Sequence, residues 1–382
     1  MAWALTVKPR VVFSPGASAE LRRVGELKEL KESLRLSRIC HFSLGSLALT
    51  ARPQPELPIT REEINGSKGL LGIDWIGSAP PVPKAIALIF PGIGTTSRKG
   101  FAGMIAHHLA KTFTEMRVGV GVLQGHDKLP LQSNCLPATA YVANGDVGEL
   151  IEDVHSRWPG VPLVVLGCSI GSAHFTHWAG TNPDKLQQLG VVGAIMVCHG
   201  QSSRPAAEAV DSSGAARFIL AAYRDILRSC DLEALRSAIP GLRPEKLIAA
   251  RNLKEWDEAL LPVYGLKCHE EVMDAVDTTP EMMMKLNIPV IFLGADNDPI
   301  TPATRLLDAE VDRLVANSAI IHISHGSHMA WWEGPPWALH QSWACSVVAK
   351  STSILTGLPI PPTPSSAAAS CLSGKAFRRC FS

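Results

Sequence analysis

The sequence lacks the features of a nucleic-acid-binding, transmembrane or secreted protein. Its formal net charge is only +1 and no basic stripe occurs, so nothing indicates a nucleic-acid partner. No apolar run reaches the roughly 18 to 20 residues that are needed to cross a bilayer. Residues 1–19 contain Lys8, Arg10 and no acid, which weakly resembles an organelle transit peptide, but they lack the apolar segment of a secretory signal.

The sequence also lacks cysteines at spacings that bind metals. Its nine cysteines are odd in number and scattered, and no C-x-x-C pair or Cys/His cluster occurs. Cys168, Cys198 and Cys345 lie in apolar runs, where a free cysteine behaves as a small hydrophobic residue. We therefore expect a reducing, intracellular compartment and no metal site.

Apolar strand patterns alternate with helical patterns through most of the chain. A hairpin is predicted at 59–64 and 70–76. Further apolar strands are predicted at 85–90, 118–123, 191–198, 288–293 and 319–323 and in the run between Pro162 and Gly167, with helical stretches between several of them. This alternation predicts an α/β fold with a mostly parallel central sheet and helices on both faces. Ligands in such folds bind beyond the carboxyl ends of the strands.

The same patterns predict three parts of the chain. Residues 1–57 form an N-terminal extension with an amphipathic helix over 20–38, which either docks on the domain or lies on a membrane surface or a partner. Residues 58–355 form the α/β domain, interrupted at about 200–284 by a helical insertion placed as a lid. Residues 356–382 are low in complexity and are expected to be disordered.

The stretch Gly167-Cys-Ser-Ile-Gly171 carries the main chemical signal. It fits G-x-S-x-G, follows a buried strand and precedes a helical stretch, which is the setting of a nucleophile elbow. The turn forces Ser169 into strained backbone angles and brings the positions two before and two after it against neighbouring backbone, so both require glycine. We therefore predict that Ser169 is a nucleophile; the alternative is an ordinary glycine-rich turn.

A serine nucleophile needs a base and an acid that orients the base, and these follow it along the chain in the order Asp, His. Asp296 and Asp298 both follow the strand at 288–293, and Asp298 begins an Asp-Pro turn. We predict Asp298 as the acid and expect Asp296 to cap the turn or the next helix.

Three histidines follow the last predicted strand or lie within it. His322 lies within the strand and is expected to be a packed side chain, whereas His325 and His328 flank a Gly-Ser turn. We predict His328 as the base, because a helical stretch follows it.

The oxyanion of an acyl-transfer reaction needs two backbone donors, each of which typically contributes a few kcal/mol. The Ile170 amide is one predicted donor. The loop Pro91-Gly-Ile-Gly94 should supply the other, which we assign to Ile93 over Gly92 or Gly94. This loop lacks the endings that cradle phosphates, so no nucleotide or other organic cofactor is expected.

Several stretches together resemble one branch of the α/β-hydrolases, which contains the abhydrolase-domain lipases (types 1, 2 and 3) and the fungal medium-chain fatty-acid ethyl ester synthase/esterases. The stretches that carry the resemblance are Ile59-Thr-Arg-Glu-Glu, Gly72-Ile-Asp-Trp, Leu88-Ile-Phe-Pro-Gly, Ala143-Asn-Gly-Asp-Val, Glu152-Asp, Gly167-Cys-Ser-Ile-Gly, Arg251-Asn-Leu-Lys-Glu-Trp-Asp, Tyr264-Gly-Leu-Lys, Asp296-Asn-Asp-Pro and Gly326-Ser-His. By this resemblance Ser169, Asp298 and His328 match the family's nucleophile, acid and base. It implies action on medium- or long-chain acyl esters, including monoacylglycerols and phospholipids.

The chain departs from this branch at two positions near the site. The branch often has Asn-x-Arg-Gly after the strand at 118–123, where this chain has Gln124-Gly-His-Asp. The last elbow position is usually a second glycine and is Ser172 here. Both departures alter the expected pocket wall.

The sequence thus predicts a serine esterase or lipase that forms an acyl-enzyme without a cofactor. The helical insertion, apolar at Phe218, Ile219, Leu220 and Tyr223, is expected to form the acyl pocket. Two alternatives stay open, namely an alcohol acyltransferase with the same three residues and a non-catalytic receptor or scaffold on this fold.

Overall fold

The computed structural model describes most of the chain. The described residues are 5–32, 57–67, 69–78, 80–123, 127, 129, 144–200, 203–228, 231–333 and 342–361.

Eleven strands lie in the described part of the chain. In chain order they are β1 (Leu5–Val7), β2 (Arg10–Phe13), β3 (Leu30–Glu32), β4 (Ile59–Asn65), β5 (Leu70–Ile76), β6 (Ala85–Phe90), β7 (Met116–Val122), β8 (Leu163–Cys168), β9 (Val191–Val197), β10 (Val290–Ala295) and β11 (Ser318–Ile323). β1 and β3 form a small antiparallel pair, and the other nine form one sheet.

The nine-stranded sheet has the order β2-β11-β10-β9-β8-β6-β7-β5-β4. The six strands from β11 to β7 are mutually parallel. The strands at the two edges, β2 on one side and β5 with β4 on the other, pair antiparallel. Because the carboxyl ends of parallel strands meet at one edge, the loops after β6, β8, β9, β10 and β11 converge there.

The central strands are buried on both faces, as their continuous apolar runs predict. In β6 the side chains of Ala87 and Ile89 join one buried cluster, whereas Ile86, Leu88 and Phe90 join the cluster on the opposite face. Strands covered on both sides have this composition because neither face meets water.

Fifteen helices are found among the described residues, and they cover the sheet and form the insertion. They are α1 (Ala19–Arg22), α2 (Gly100–Thr112), α3 (Asn144–Arg157), α4 (Ile170–Thr181), α5 (Pro183–Gln188), α6 (Ser203–Ser213), α7 (Ala216–Arg228), α8 (Leu232–Ala238), α9 (Pro244–Ala249), α10 (Leu253–Tyr264), α11 (His269–Val276), α12 (Pro280–Met284), α13 (Thr304–Asp308), α14 (Val311–Leu314) and α15 (Ser342–Thr356). Helices α6 to α12 form the insertion between β9 and β10. Their own apolar cluster includes Tyr223 stacked on Trp256, with ring centroids 5.0 Å apart.

The predicted amphipathic helix over 20–38 is wrong for the described residues. The chain there forms the single turn α1, a 3₁₀ turn over Arg23–Gly25 and the strand β3. Leu21, Val24 and Leu30 are buried, but they pack onto the main core from these three short elements and not from one helix face. Helix α15 holds the segment between these elements in place. In this contact the Trp343 indole donates to the Lys28 carbonyl at 2.8 Å, and the Lys350 ammonium donates to the Glu26 carbonyl at 2.6 Å.

The described part of the extension joins the main sheet. Strand β2 pairs with β11 and adds a strand to the main sheet. The proposed membrane-surface helix therefore has no counterpart in the described part of the extension. Residues 33–56 of the extension and 362–382 of the predicted tail lie outside the described residues.

Among the residues that the structure describes, no helix combines the length and apolar composition that crossing a bilayer takes.

Candidate active site

The turn between β8 and α4 holds Ser169 in a strained conformation. Its φ is 52° and its ψ is −121°, a region that costs a residue other than glycine about 1–3 kcal/mol. A β-carbon added at Gly171 would lie 2.2 Å from the Phe90 carbonyl oxygen, and one at Gly167 would lie 2.4 Å from the α-carbon of Ser172. Both positions therefore require glycine, as the motif predicts.

The side chains of Ser169, His328 and Asp298 form a continuous hydrogen-bonded chain. His328 Nε2 lies 2.9 Å from Ser169 Oγ, and His328 Nδ1 lies 2.7 Å from Asp298 Oδ2. Because an ionised carboxylate only accepts, the proton is on Nδ1, and Nε2 is left able to accept the serine proton. The structure thus brings together the three residues that the sequence singles out, and their arrangement can support nucleophilic attack by the hydroxyl.

The Asp298 carboxylate is buried and fully engaged. Its Oδ1 accepts from the Ile300 and Thr301 amides at 2.8 and 3.0 Å, and its Oδ2 also accepts from the Thr301 hydroxyl at 3.0 Å. Burial alone would raise the pKa of Asp298, but the charge and hydrogen bond of His328 and the two amides outweigh it, so the pKa is lowered. The carboxylate therefore stays ionised and can orient the imidazole.

Backbone strain is concentrated around these residues. Six non-glycine residues in the described part of the chain have a positive φ, and four of them belong to the site loops: Ser169, Cys198, Ser327 and Met329. Such residues persist only where the surroundings hold them, and they cluster at functional sites.

Cys198 adds a thiol beside the same residues. Ligand atoms of Cys198, Asp298 and His328 all lie within 4.8 Å of one another, a donor set that a soft divalent metal could use. Burial, together with the charge of Asp298, raises the pKa of the Cys198 thiol well above its ordinary value. Metal binding would need the thiolate and would break the bond between Asp298 and His328. We therefore assign these groups to the serine site.

The loop after β6 lies directly against Ser169. A β-carbon at Gly92 would lie 3.2 Å from Ser169 Cβ, so glycine keeps this approach open. The turn is closed by Thr95, whose amide and hydroxyl donate to the Gly92 carbonyl at 3.1 and 2.8 Å. Among the described residues, no acceptor is found for the Ile93 amide. Ile93 and Ile170, the two predicted oxyanion donors, border the same pocket.

This pocket lies between the loop after β6, the start of α4 and Tyr223 of the insertion, and its lining is mostly apolar. It is lined by the loop after β6, by residues 120–123 at the end of β7, and by Asp127, Ile170, His174 and Tyr223. Of the four insertion residues predicted to form an acyl pocket, only Tyr223 lines it. Leu220 is buried within the insertion, and Phe218 is 50% exposed because its position on α7 turns it to solvent.

A charged network reaches the pocket through Asp127, the one of its members that lines it. Arg61 donates to both carboxylate oxygens of the buried Asp74, at 2.7 and 2.8 Å, and to Asp127 at 2.5 Å. The Ser97 hydroxyl also donates to Asp74. The hydrogen bond to Asp74 is the main cause that raises the pKa of Arg61. Asp127 therefore places an acid at the pocket. The other residues of the stretch that departs from the branch, 124–126, lie outside the described residues.

The structure gives Asp296 a partner that was not expected, and it places His325, the alternative base, away from Ser169. The prediction that Asp296 caps the turn or the next helix is wrong, because its Oδ1 lies 3.0 Å from Nδ1 of His322. His322 is a packed strand residue, as predicted. His325 contacts the Ser324 hydroxyl at 2.9 Å and is not brought to Ser169.

Sequence reasoning missed residues that support the site. Asn297 Oδ1 accepts the Ser327 amide at 2.8 Å and so joins the loop of His328 to that of Asp298. No local signal could have found this pair, because 30 positions separate its members. Thr301 was also missed, although a threonine three positions after an aspartate in a turn is a known way to satisfy that carboxylate.

The fold and the site together define an α/β-hydrolase, and comparison with known families agrees. A family model described as Hydrolase_4, serine aminopeptidase S33, matches residues 81–334. The chain therefore belongs to the Hydrolase_4 family of α/β-hydrolases.

The curated relatives it matches are phospholipases. The chain is 21% identical over 277 residues to phospholipase ABHD3 of Mus musculus and 20% identical over 280 residues to that of Bos taurus. Each alignment covers 70% of this chain and 64% of the relative, so the chain spans less than two thirds of their length. The predicted relationship to the fungal ethyl ester synthases is not among the relationships these comparisons establish.

Solved structures of hydrolases also match. An esterase from Thermogutta terrifontis has a TM-score of 0.46 at 15% identity, covering 78% of this chain and 99% of that one. A fungal esterase from Rhizomucor miehei has a TM-score of 0.48 at 10% identity, covering 85% of this chain and 92% of that one. At these TM-scores, the two matches add nothing to the assignment.

Proposed function

We propose that the chain is a serine carboxylic-ester hydrolase of the esterase or lipase type. The observation that carries this proposal is the hydrogen-bonded chain from Ser169 through His328 to Asp298. A mostly apolar pocket borders the same turn at Ile170, the residue after Ser169. Membership of a hydrolase family supports it.

In the first step, Ser169 Oγ attacks the carbonyl carbon of the ester while His328 Nε2 takes the hydroxyl proton. Asp298 keeps the imidazole in the tautomer with the proton on Nδ1 and stabilises the imidazolium that forms. The carbonyl oxygen becomes an oxyanion, which the amides of Ile170 and Ile93 stabilise.

In the second step, the oxyanion re-forms the carbonyl and the bond to the leaving alcohol breaks. His328 gives its Nε2 proton to that alcohol, and the acyl group stays on Ser169. Water then attacks the acyl carbon while His328 Nε2 takes a proton from it. The bond to Ser169 Oγ breaks, His328 returns the proton to that oxygen, and the carboxylic acid leaves. No step needs a redox or organic cofactor.

The proposed substrates are medium- or long-chain acyl esters such as monoacylglycerols or phospholipids. The mostly apolar lining of the pocket suits an acyl chain. The relatives named as phospholipases support a lipid ester, and the resemblance to the abhydrolase-domain lipases points the same way.

The proposal is tested with p-nitrophenyl esters graded from two to sixteen acyl carbons, with a monoacylglycerol and with a phosphatidyl ester. We expect turnover to peak at medium or long chains and to vanish in Ser169→Ala. Ser156→Ala, which changes an exposed serine on α3, serves as the matched control and should retain full turnover. Turnover that Ser169→Ala leaves unchanged would contradict the proposal.

Two added arms separate the remaining alternatives. Octanol in the assay yields octyl esters if the acyl-enzyme transfers to alcohols, since an acyltransferase would use the same three residues. An aminoacyl p-nitroanilide tests the peptidase activity in the family's description. Absence of turnover on all of these substrates would favour a non-catalytic receptor or scaffold.

The remaining expectations from the sequence stay predictions. They are an intracellular site of action, in the cytoplasm or at a membrane surface or in an organelle, and no nucleic-acid partner.

A further inference from the structure

The carbonyl oxygen of the nucleophile accepts two hydrogen bonds from one residue. The Ser172 amide donates to the Ser169 carbonyl at 2.9 Å, as expected in the first turn of a helix. The Ser172 hydroxyl donates to the same oxygen at 2.5 Å. A glycine at this position would supply only the amide bond.

The same hydroxyl contacts a buried imidazole. His199 Nδ1 lies 3.0 Å from Ser172 Oγ. A hydroxyl has one proton, and Ser172 gives it to the Ser169 carbonyl, so the imidazole must donate from Nδ1. Burial lowers the pKa of His199 to about 4, so the ring is neutral and Nε2 is unprotonated.

The environment of Nε2 agrees with this tautomer. Within the part of the chain that the structure describes, His199 Nε2 is buried and has no hydrogen-bond partner. A proton on Nε2 would leave a buried N–H donor unsatisfied, which is more costly than an unused acceptor. The preferred order is therefore His199 Nδ1–H to Ser172 Oγ–H to the Ser169 carbonyl.

His199 is itself held firmly. It follows Cys198, whose φ of 50° ends β9, and its ring packs on Phe292 with centroids 5.5 Å apart. The Thr301 hydroxyl, which has one proton, lies within hydrogen-bond reach of both the Cys198 carbonyl oxygen, at 3.1 Å, and Asp298 Oδ2, at 3.0 Å. The Thr301 amide also donates to Asp298 Oδ1. The end of β9 thus links the nucleophile turn to the loop of the acid by a route that does not include the catalytic base.

We propose that His199 and Ser172 are positioning residues that fix the carbonyl of Ser169, and hence the nucleophile, through this second hydrogen-bonded chain. The inference rests on the proposed function, because the chain has a catalytic consequence only if Ser169 attacks a substrate. The strained φ of Ser169 explains why a second hydrogen-bonded chain is needed. Backbone outside the favoured regions relaxes unless contacts hold it in place. A small displacement of a nucleophile reduces its rate of attack steeply.

The test compares Ser172→Ala, His199→Leu and His199→Asn with wild type. The amide nitrogen of an asparagine can occupy the place of Nδ1 and donate to Ser172, whereas leucine cannot donate. We expect Ser172→Ala and His199→Leu to lower kcat, and the rate of labelling by a fluorophosphonate probe, by roughly ten- to a hundredfold, with KM within about twofold. His199→Asn should recover most of the loss.

The control makes the two His199 substitutions in a protein that already carries Ser172→Ala. Because this protein lacks the Ser172 hydroxyl, His199→Asn and His199→Leu should give the same kcat in it. Three outcomes would overturn the inference. They are equal rates for all variants and wild type, a change in KM without a change in kcat, and equal kcat for His199→Asn and His199→Leu in the presence of Ser172. If His199→Leu fails to fold, Ser172→Ala, which removes one oxygen atom, makes the same comparison with wild type.

A nitrogen-15 NMR measurement of the imidazole separates this inference from the proposed function. Wild type at pH 6 should show His199 as the neutral tautomer with its proton on Nδ1. A proton on Nε2 overturns the second chain whatever the activity. Wild type that shows the expected tautomer but is neither labelled by the probe nor active on any ester overturns the proposed function, and with it the positioning role. Labelled wild type with unaffected variants overturns the positioning role alone.

Discussion

The Nε2 atom of His328 lies 2.9 Å from the Oγ atom of Ser169, although 159 positions separate the two residues along the chain. The parallel sheet explains this convergence, because Ser169 follows β8 and His328 follows β11, and both strands end at the same edge.

Asp298 and Asp296 lie two positions apart, and replacing each of them tests which one is the acid. Asp298→Asn should lower kcat/KM by about 10⁴-fold, because an asparagine can donate to Nδ1 and so favours the wrong tautomer of His328. Asp296→Asn is the matched control and should stay within a few-fold of wild type, because Asp296 contacts His322 instead. Steady-state kinetics on one ester measures both. A larger loss in Asp296→Asn would reverse the assignment.

The oxyanion assignment is tested by removing one backbone donor. Ile93→Pro lacks the amide proton, so it should lower kcat by about 10²–10³-fold relative to Ile93→Ala, which keeps the proton but also trims the side chain. The comparison of kcat between these two variants isolates the N–H group. If they differ by less than a few-fold, the donor lies elsewhere in the loop, at Gly92 or Gly94.

The elbow glycines should tolerate no side chain. Gly171→Ala puts a methyl group 2.2 Å from the Phe90 carbonyl oxygen, so backbone must move. We expect a loss of about 1–3 kcal/mol in the free energy of unfolding, together with most of the activity. Gly145→Ala on the exposed part of α3 meets nothing within 4 Å and should be neutral or stabilising by up to about 1 kcal/mol. Urea unfolding checks both variants, and equal stability of the two would contradict the steric argument.

The insertion contains a carboxyl group that should make stability depend on pH. Burial, with smaller contributions from Asp211 and Glu258, raises the pKa of Asp257 to about 8. Burial lowers the pKa of His269, whose Nδ1 lies 3.7 Å from Asp257. Neither partner is predominantly charged at pH 7, so this contact is not an ion pair despite its distance.

The direction in which stability changes with pH follows from the number of protons that the folded and unfolded states bind. An unfolded aspartate has a pKa of about 3.9, so between about pH 4 and 8 the folded state binds more protons and stability falls as pH rises. The stability of Asp257→Asn relative to wild type should therefore increase from pH 6.5 to 8.5, by an amount on the order of 1 kcal/mol. Urea unfolding at both pH values measures it. Exposed Glu208→Gln should show no such trend, and a trend of opposite sign in Asp257→Asn would contradict the raised pKa.

The sheet and the convergence of Ser169, Asp298 and His328 could be predicted because their signals are local. Apolar runs mark strands that are buried on both faces, and the turns after β8 and β10 carry their own glycine and Asp-Pro chemistry. The order of these turns along the chain then specifies which residues meet, since they all follow parallel strands.

The failures involve contacts between distant parts of the chain. Leu21, Val24 and Leu30 have the spacing of a helix face, but their burial against the main core decides their conformation. The partner of Asp296 is a histidine on the neighbouring strand, and the partner of Ser172 is 27 positions away. No local pattern contains such pairs, because only the packed sheet brings them together.

The central claim is that Ser169 is a nucleophile activated by His328. Its most direct test is mass spectrometry of the peptide that contains Ser169 after reaction with a fluorophosphonate probe. We predict one phosphonyl adduct on Ser169 in wild type, and none in Ser169→Ala or, on the same timescale, in His328→Ala. An unmodified Ser169 in folded wild type, or equal labelling in His328→Ala, would contradict the account.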